Sequence, residues 1–221
     1  MRALEQARLY LVAPARLRAG ALAELVGELA DAGVDLVQLR EKEAEALEVM
    51  RSGEGILAAC RAAAIPFLVN DRPDVALALG ADGVHLGQGD VPVWVARRVL
   101  GDVVVGRSTH SPAQLEAEWS ASPAPDYVSV GPVHATPTKP GRPGVGAALV
   151  RHAAAHAPLP WFAIGGIDAA RLEEVLEAGA RRVVVVRAIT EASDPPAAAA
   201  RLRAMLDAAP LESRESRESR L

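Results

Sequence analysis

Short apolar runs recur along the chain at 9–12, 36–39, 67–69, 83–86, 103–105, 127–130, 162–164 and 183–186. They are rich in Val, Ile and Leu and do not alternate strictly with polar residues, as strands covered on both faces do not. Amphipathic stretches between them, such as 21–32, 73–79, 112–120 and 169–178, predict helices. Gly33, Gly80, Gly101 and Gly179 stand just before the next run, where a left-handed residue closes a helix. Ser111 and Asp168 stand where an N-cap belongs. A strand–helix unit repeated in this way predicts an α/β fold, a single (β/α)8 or TIM barrel. A doubly wound open sheet is the alternative, weakened because no Gly-x-Gly-x-x-Gly follows the first run. Residues 1–210 read as one catalytic barrel domain, and 211–221, where Glu-Ser-Arg repeats without apolar periodicity, as a disordered low-complexity tail.

Composition narrows the class. Half of the 221 residues are hydrophobic (50%), enough for a substantial core. No apolar run reaches the ~18 residues of a membrane span. The first eight residues carry both signs of charge and no apolar segment, unlike a secretory signal. The lone cysteine, Cys60, excludes an intrachain disulfide and suits a reducing compartment, so a cytoplasmic protein is expected, with Cys60 as a small core residue. A net charge of −4 speaks against nucleic acid as a partner. The expected partners are small molecules, with neither nucleic acid nor membrane involved; a homo-oligomer stays open.

Candidate chemistry comes from what is scarce. Arg serves almost wherever a base is wanted, and the chain holds only two lysines, Lys42 and Lys139, and one asparagine, Asn70. Lys is a compact point charge with three donors, and Asn a neutral amide that donates and accepts. A chain this biased keeps them where Arg or Asp cannot substitute; chance is the bland alternative. In such a barrel the active site lies at the C-terminal strand ends. Gln38 lies within the second run, and Arg40, Glu41 and Lys42 follow it; Asn70 and Asp71 follow the third; Gln88 and Asp90 the fourth. The fifth strand ends at Arg107 and Ser108, and Thr136, Thr138 and Lys139 follow the sixth. Gly165 and Gly166 follow the seventh and Arg187 the eighth. All three scarce residues fall on this one rim.

The rim has the chemistry of an anion site. Arg40, Lys42 and Lys139 bring positive charge, and Asn70, Ser108, Thr136 and Thr138 neutral donors. The Gly165–Gly166 turn, leading into a helix capped at Asp168, offers backbone N–H groups to a phosphate. Asp71 and Asp90 on neighbouring strand ends would repel alone; bridged by Mg²⁺ they make sense, since that ion takes one or two carboxylates and completes its octahedron with water and phosphate oxygens. The alternatives are that Asp71 pairs with Arg72 or caps the next helix, and that Asp90 caps the helix near Pro92. No His/Cys cluster has zinc spacing. His152 and His156 read as surface residues, His85 as packed, and His110 and His134 stay open.

Taken together, Gln38-Leu39-Arg40-Glu41-Lys42, Asn70-Asp71-Arg72, Gly83-Val84-His85-Leu86-Gly87-Gln88, Ser108-Thr109-His110, Gly131-Pro132-Val133, Thr136-Pro137-Thr138-Lys139 and Ala163-Ile164-Gly165-Gly166-Ile167 resemble the thiamine-phosphate synthase family in order and spacing. The resemblance runs over about 9–207. It implies a transferase that joins hydroxymethylpyrimidine diphosphate to thiazole phosphate, giving thiamine phosphate and pyrophosphate. It implies that Arg40, Lys42, Asn70 and Lys139 hold the diphosphate and that Asp71 and Asp90 bind Mg²⁺. Gln38 would face the pyrimidine, Ser108 lie near the leaving group, and Thr136, Thr138 and Gly166 hold the thiazole phosphate. Pyrophosphate departure leaves a pyrimidine carbocation that the thiazole nitrogen captures, so no protein nucleophile is needed, and the rim supplies charge neutralisation and positioning.

The chain departs from the family pattern where a Ser usually ends the last strand: here Arg187 stands, after Arg181-Arg182 in place of Asp-Gly. His134 stands where an apolar aromatic is common, and Ala13-Pro14 where a polar pair is frequent. Arg187 is expected either to bind the thiazole phosphate or to pair with Glu191. Two other readings compete. A thiazole tautomerase of the same superfamily needs an acid/base His, for which His134 is the candidate, and little diphosphate machinery. A non-catalytic phosphate-ligand sensor has Arg187 as its one support.

Overall fold

The computed structural model describes residues 2–135 and 144–209. Eight parallel strands close into a barrel: β1 (Leu9–Ala13), β2 (Leu36–Leu39), β3 (Phe67–Asn70), β4 (Gly83–Leu86), β5 (Val104–Thr109), β6 (Tyr127–Val130), β7 (Trp161–Ile164) and β8 (Val183–Val185). Each pairs with its sequence neighbours, and β1 pairs with β8 through Leu9↔Val183, so no sheet edge is left. The open-sheet alternative is thereby excluded. Each predicted run is one strand. The strand expected to end at Arg107 and Ser108 runs one residue further, to Thr109.

A helix follows each strand: α1 (Leu22–Asp31), α2 (Ala46–Ala62), α3 (Pro73–Leu79), α4 (Val93–Leu100), α5 (Pro112–Trp119), α6 (Gly146–His156), α7 (Leu172–Glu177) and α8 (Pro195–Asp207). Their apolar stripes face the barrel, as Leu22, Val26 and Leu29 do on α1. Helix α3 starts on Pro73 and stops at Gly80, whose φ of 64° is the left-handed cap expected there. Ser111 caps α5, accepting from Gln114 N at 3.2 Å. Asp168 acts one turn ahead of its helix: its Oδ1 accepts from Ala170 N and Arg171 N, each at 3.0 Å, and α7 begins only at Leu172. Three small elements escaped the hydrophobic pattern because each is too short to show a period. They are a helix at Arg2–Gln6, an antiparallel pair of Arg16–Leu17 with Gly20–Ala21, and a helix at Arg187–Thr190.

Both faces of the strands are buried, which is why their sequences lack alternation. Residues facing the helices, such as Leu9, Leu11, Val37 and Val69, join the large outer core. Leu36, Leu68, Tyr10, Tyr127, Phe162 and Val184 fill the barrel, with Leu4 packed beneath them. Tyr10, Tyr127 and Phe162 meet edge-to-face, with centroids 5.4–5.9 Å apart, each contact contributing about 0.5–1.5 kcal/mol beyond its area. Two residues further along the same inward face, the side chains turn polar. Leu36 gives way to Gln38, Leu68 to Asn70, Gly83 to His85, Gly106 to Ser108 and Tyr127 to Ser129. The lower barrel is thus a dry plug and the upper barrel a polar floor, facing the strand ends where this fold builds its sites. Cys60 is fully buried in the outer core, where desolvation pushes its thiol up to about 12; it is the inert core residue expected.

Candidate active site

Strands β2 to β6 bring Gln38, Arg40, Lys42, Asn70, Asp71 and Ser108 around one cavity, with His85 and Ser129 in its floor. Gln38 Nε2 donates to Asn70 Oδ1 at 3.1 Å. That bond leaves the Asn70 amide N–H groups to donate and the Gln38 carbonyl to accept, a donor for an anion beside an acceptor for an amine. The Arg40 guanidinium forms no ion pair among the described residues. Burial lowers its pKa, against the pull of Asp71, but a guanidinium stays charged. Glu41 does not join the site: its Oε1 accepts from Ala15 N at 2.7 Å and ties the β2 end to the loop after β1.

The two carboxylates behave as neither alternative required. Arg72 pairs with Asp74 at 2.5 Å, not with Asp71, and neither Asp71 nor Asp90 caps a helix. Asp71 sits at φ 63°, outside the usual range for a side-chain-bearing residue, and its Oδ2 lies 3.1 Å from Lys42 Nζ. Asp90 is held by Gly87 N, which donates to its Oδ2 at 2.6 Å. Asp71 and Asp90 shift each other's proton affinity in opposite directions. Burial opposes the Asp71 charge, but Asp90 and Lys42 outweigh it and hold Asp71 below its ordinary value. Burial and the neighbouring Asp71 push Asp90 above its ordinary value. Two neighbouring carboxyls that compete in this way mark a place that a cation fits. Among the described residues no group of three His, Cys, Asp or Glu could hold a metal. Two carboxylates nonetheless suit Mg²⁺, which draws its remaining ligands from water and phosphate.

Ser108 is almost fully buried near the end of β5, the strand expected to carry it, and faces the cavity from the wall. Gln88 Nε2 donates to its carbonyl at 2.7 Å. Arg107, one residue earlier, points outward into Glu118 at 3.1 Å and the Gly87 carbonyl at 2.7 Å, and serves structure. His85, expected as mere packing, is bonded through both ring nitrogens, to Tyr127 Oη at 2.9 Å and Ser108 Oγ at 3.0 Å. Burial pushes both phenols, Tyr10 and Tyr127, well above their ordinary values, so both keep their protons.

A second cavity of about 250 Å³ opens beside the first, lined by His110, Gly165, Gly166, Arg171 and Arg187 among others. The two cavities share Ile164, Val184 and Val186 as a common wall. Both glycines are obligatory there. Gly165 has φ 109° and Gly166 φ 63°, and a Cβ would lie 2.5 Å from Pro132 at the first and 2.8 Å from His134 Cβ at the second. Since α7 starts only at Leu172 and Asp168 takes up the amides of Ala170 and Arg171, the expected helix N-terminus is not what the cavity offers. The glycine turn itself is. Arg187 opens the short helix Arg187–Thr190 rather than ending β8, yet it lines the cavity as expected, with Glu191 Oε2 3.9 Å from its Nη1. Thr136, Thr138 and Lys139 lie outside the described residues, on the segment between β6 and α6.

His110 lines this second cavity, with Nδ1 2.5 Å from the Gly131 carbonyl. His134 Nε2 instead lies 3.8 Å from Glu174 Oε2, and His134 is not among the residues lining the cavity. His152 stacks on Trp119, with centroids 6.3 Å apart, and is more buried than the surface position expected for it. Ser129, Tyr10 and Tyr127 were missed as site residues; the signal that would have found them is the inward two-residue period of each strand.

Residues 9–189 match the family model described as thiamine monophosphate synthase. The chain belongs to the thiamine monophosphate synthase family. It is 54% identical over 208 residues to the thiamine-phosphate synthase of Acidothermus cellulolyticus, covering 93% of this chain and 98% of that one. It is 55% identical over 198 residues to the thiamine-phosphate synthase of Streptomyces avermitilis, covering 89% and 92% respectively. Among solved structures, a thiamine phosphate pyrophosphorylase from Pyrococcus furiosus matches with a TM-score of 0.82 at 31% identity, over 93% of this chain and 98% of that one.

Proposed function

We propose that the barrel mouth condenses hydroxymethylpyrimidine diphosphate with thiazole phosphate, in a transferase of thiamine biosynthesis, and that the two adjoining cavities each take one substrate. The observation that carries this is their shared lining of Ile164, Val184 and Val186, apolar residues between the cavity of Arg40 and Lys42 and the one bounded by the Gly165–Gly166 turn and Arg187. The diphosphate is held by Arg40, Lys42, Asn70 and Lys139, and the pyrimidine amino group by the Gln38 carbonyl. Thr136, Thr138, the Gly166 amide and Arg187 hold the thiazole phosphate. Asp71 and Asp90 would hold Mg²⁺, which supplies charge neutralisation to the diphosphate when bound.

The chemistry then asks little of the protein beyond position and charge. The bond from the pyrimidine methylene to the diphosphate oxygen breaks, and its electron pair leaves with pyrophosphate. Arg40, Lys42 and Lys139 stabilise that developing charge, with Ser108 donating to it. The thiazole nitrogen donates its lone pair to the methylene carbon, and the new C–N bond forms where the two cavities meet, over the apolar wall they share. That wall keeps water from capturing the cation first. A cytoplasmic location is part of the proposal; among the described residues no helix is long and apolar enough to cross a membrane. Turnover of the two substrates with pyrophosphate measured tests the reading. Pyrophosphate released only when both are present is the expected result. Release of none, alongside isomerisation or mere binding of the thiazole phosphate, would overturn it.

A further inference from the structure

The floor of the diphosphate cavity holds a hydrogen-bonded chain whose proton count has one satisfactory solution. The protein has two tyrosines, Tyr10 and Tyr127, and their hydroxyls meet at 2.9 Å inside the barrel. From Tyr127 Oη the chain runs 2.9 Å to His85 Nδ1, and from His85 Nε2 3.0 Å to Ser108 Oγ. Ser129 Oγ donates to the same Ser108 oxygen at 3.5 Å. Room for this is made on purpose: at Gly106, a Cβ would lie 2.3 Å from Tyr127 Oη. The Ser108 main chain is pinned through its carbonyl to Gln88, so the hydroxyl rotor is what remains to be set.

A neutral imidazole has one N–H and one lone pair, so the chain can run in either of two directions. In the first, Tyr10 donates to Tyr127, Tyr127 donates to His85 Nδ1, and His85 Nε2–H donates to Ser108 Oγ. Every buried donor is used, the Ser108 oxygen accepts from His85 and Ser129, and its own proton is left for the cavity. In the second, Ser108 donates to His85 Nε2, His85 Nδ1–H donates to Tyr127, and Tyr127 donates to Tyr10. The Tyr10 proton, on a residue 1% exposed, then has no acceptor among the described residues, a state that protein interiors avoid. Ser108 would also turn only lone pairs toward an anion.

We infer that Tyr10, Tyr127 and His85 form a one-way donor relay that fixes the His85 tautomer and turns the Ser108 hydroxyl proton toward the diphosphate. The inference rests on the proposed placement of Ser108 beside the leaving group. The three relay residues are positioning residues: they act through Ser108 and carry no proton to the substrate.

The test reads the tautomer directly. In protein labelled with ¹⁵N-histidine, with the His85 signals assigned by their loss in His85→Gln, long-range ¹H–¹⁵N correlation identifies which ring nitrogen carries the proton. Protonated Nε2 with bare Nδ1 is expected; protonated Nδ1, or a doubly protonated ring, overturns the relay whatever the kinetics. Tyr127→Phe should then mix or reverse the tautomer and lower kcat about tenfold, one hydrogen bond's worth, with both KM values nearly unchanged. In a Ser108→Ala background, Tyr127→Phe should cost nothing further; an undiminished loss there means that Tyr127 acts by packing and ends the inference. Ser108→Ala alone separates the two readings, because an unchanged kcat removes Ser108 from the reaction even where the tautomer is as expected.

Discussion

Arg187→Ser restores the hydroxyl that the family pattern usually has at this point, and it separates binding from folding. The Arg187 side chain is 48% exposed and its nearest acid, Glu191, is 3.9 Å away across one helical turn. Such an exposed pair contributes about 0–1 kcal/mol, so the variant should melt within roughly 4 °C of the parent. A charged hydrogen bond from a guanidinium to a phosphate is worth about 1.5–3 kcal/mol. Its loss should raise the KM for thiazole phosphate roughly 10- to 150-fold, while the KM for the pyrimidine diphosphate, bound across the Ile164–Val184–Val186 wall, stays put. Glu191→Gln should do the reverse on a smaller scale, because it frees Arg187 from its competitor. Steady-state kinetics with each substrate varied in turn, beside a thermal melt, decides the matter. An unchanged thiazole KM with a lowered melting temperature would reassign Arg187 to a structural pair with Glu191, and a gain in kcat would mean that the side chain obstructs the cavity.

Three further outcomes are expected. Asp71→Ala or Asp90→Ala should lower turnover at least ~10²-fold, and full activity in excess EDTA would refute a metal role for the pair. The Asp90 carboxyl is held above its ordinary value, so it keeps a proton to higher pH than an ordinary carboxylate, and Mg²⁺ must displace that proton. The Mg²⁺ concentration giving half-maximal rate should therefore rise as the pH is lowered into the acid range, and a Mg²⁺ requirement that stays flat as the pH falls would count against the raised Asp90. Lys139→Ala should reduce kcat by about 10²–10³-fold and affect KM less, with Lys139→Arg an incomplete rescue because the planar fork does not replace a point charge; an unchanged kcat would make Lys139 a solvated loop residue.

The barrel was legible because its apolar runs are separated by helices long enough to show their period, and because Gly33, Gly80, Gly101 and Gly179 mark helix ends, all at positive φ. The rim residues Gln38, Arg40, Lys42, Asn70 and Asp71 were legible by position alone, since each lies in the last two residues of a strand or shortly after it. What the end of β5 packs against was not. Gly106 leaves the space that Tyr127 takes, and Arg107 pairs with Glu118. Those partners lie on β6 and α5, and no local pattern announces them. The same holds for His85, whose two partners come from β6 and β5, and for Asp168, whose side chain turned out to serve the turn before the helix.

The net charge of −4 does not decide what a phosphorylated substrate meets, because several of the acids are taken up at the N-terminal end of the barrel. At the N-terminal end, carboxylates take up the first amides of the strands: Asp35 accepts from Arg8 N and Leu9 N, Asp82 from Phe67 N and Asp126 from Val105 N, all at 2.7–2.9 Å. Closing the barrel leaves those amides without ladder partners, so acids at this end serve folding. Arg40 and Lys42 gather at the other end, where the strands deliver them. Asp35 and Asp126 are moreover paired at the N-terminal end, with Arg203 at 2.9 Å and Arg97 at 2.7 Å, so these acids do little to cancel the field at the mouth. What an anionic substrate meets is the local sign of the rim, and that sign is set by which end of a strand each charge occupies.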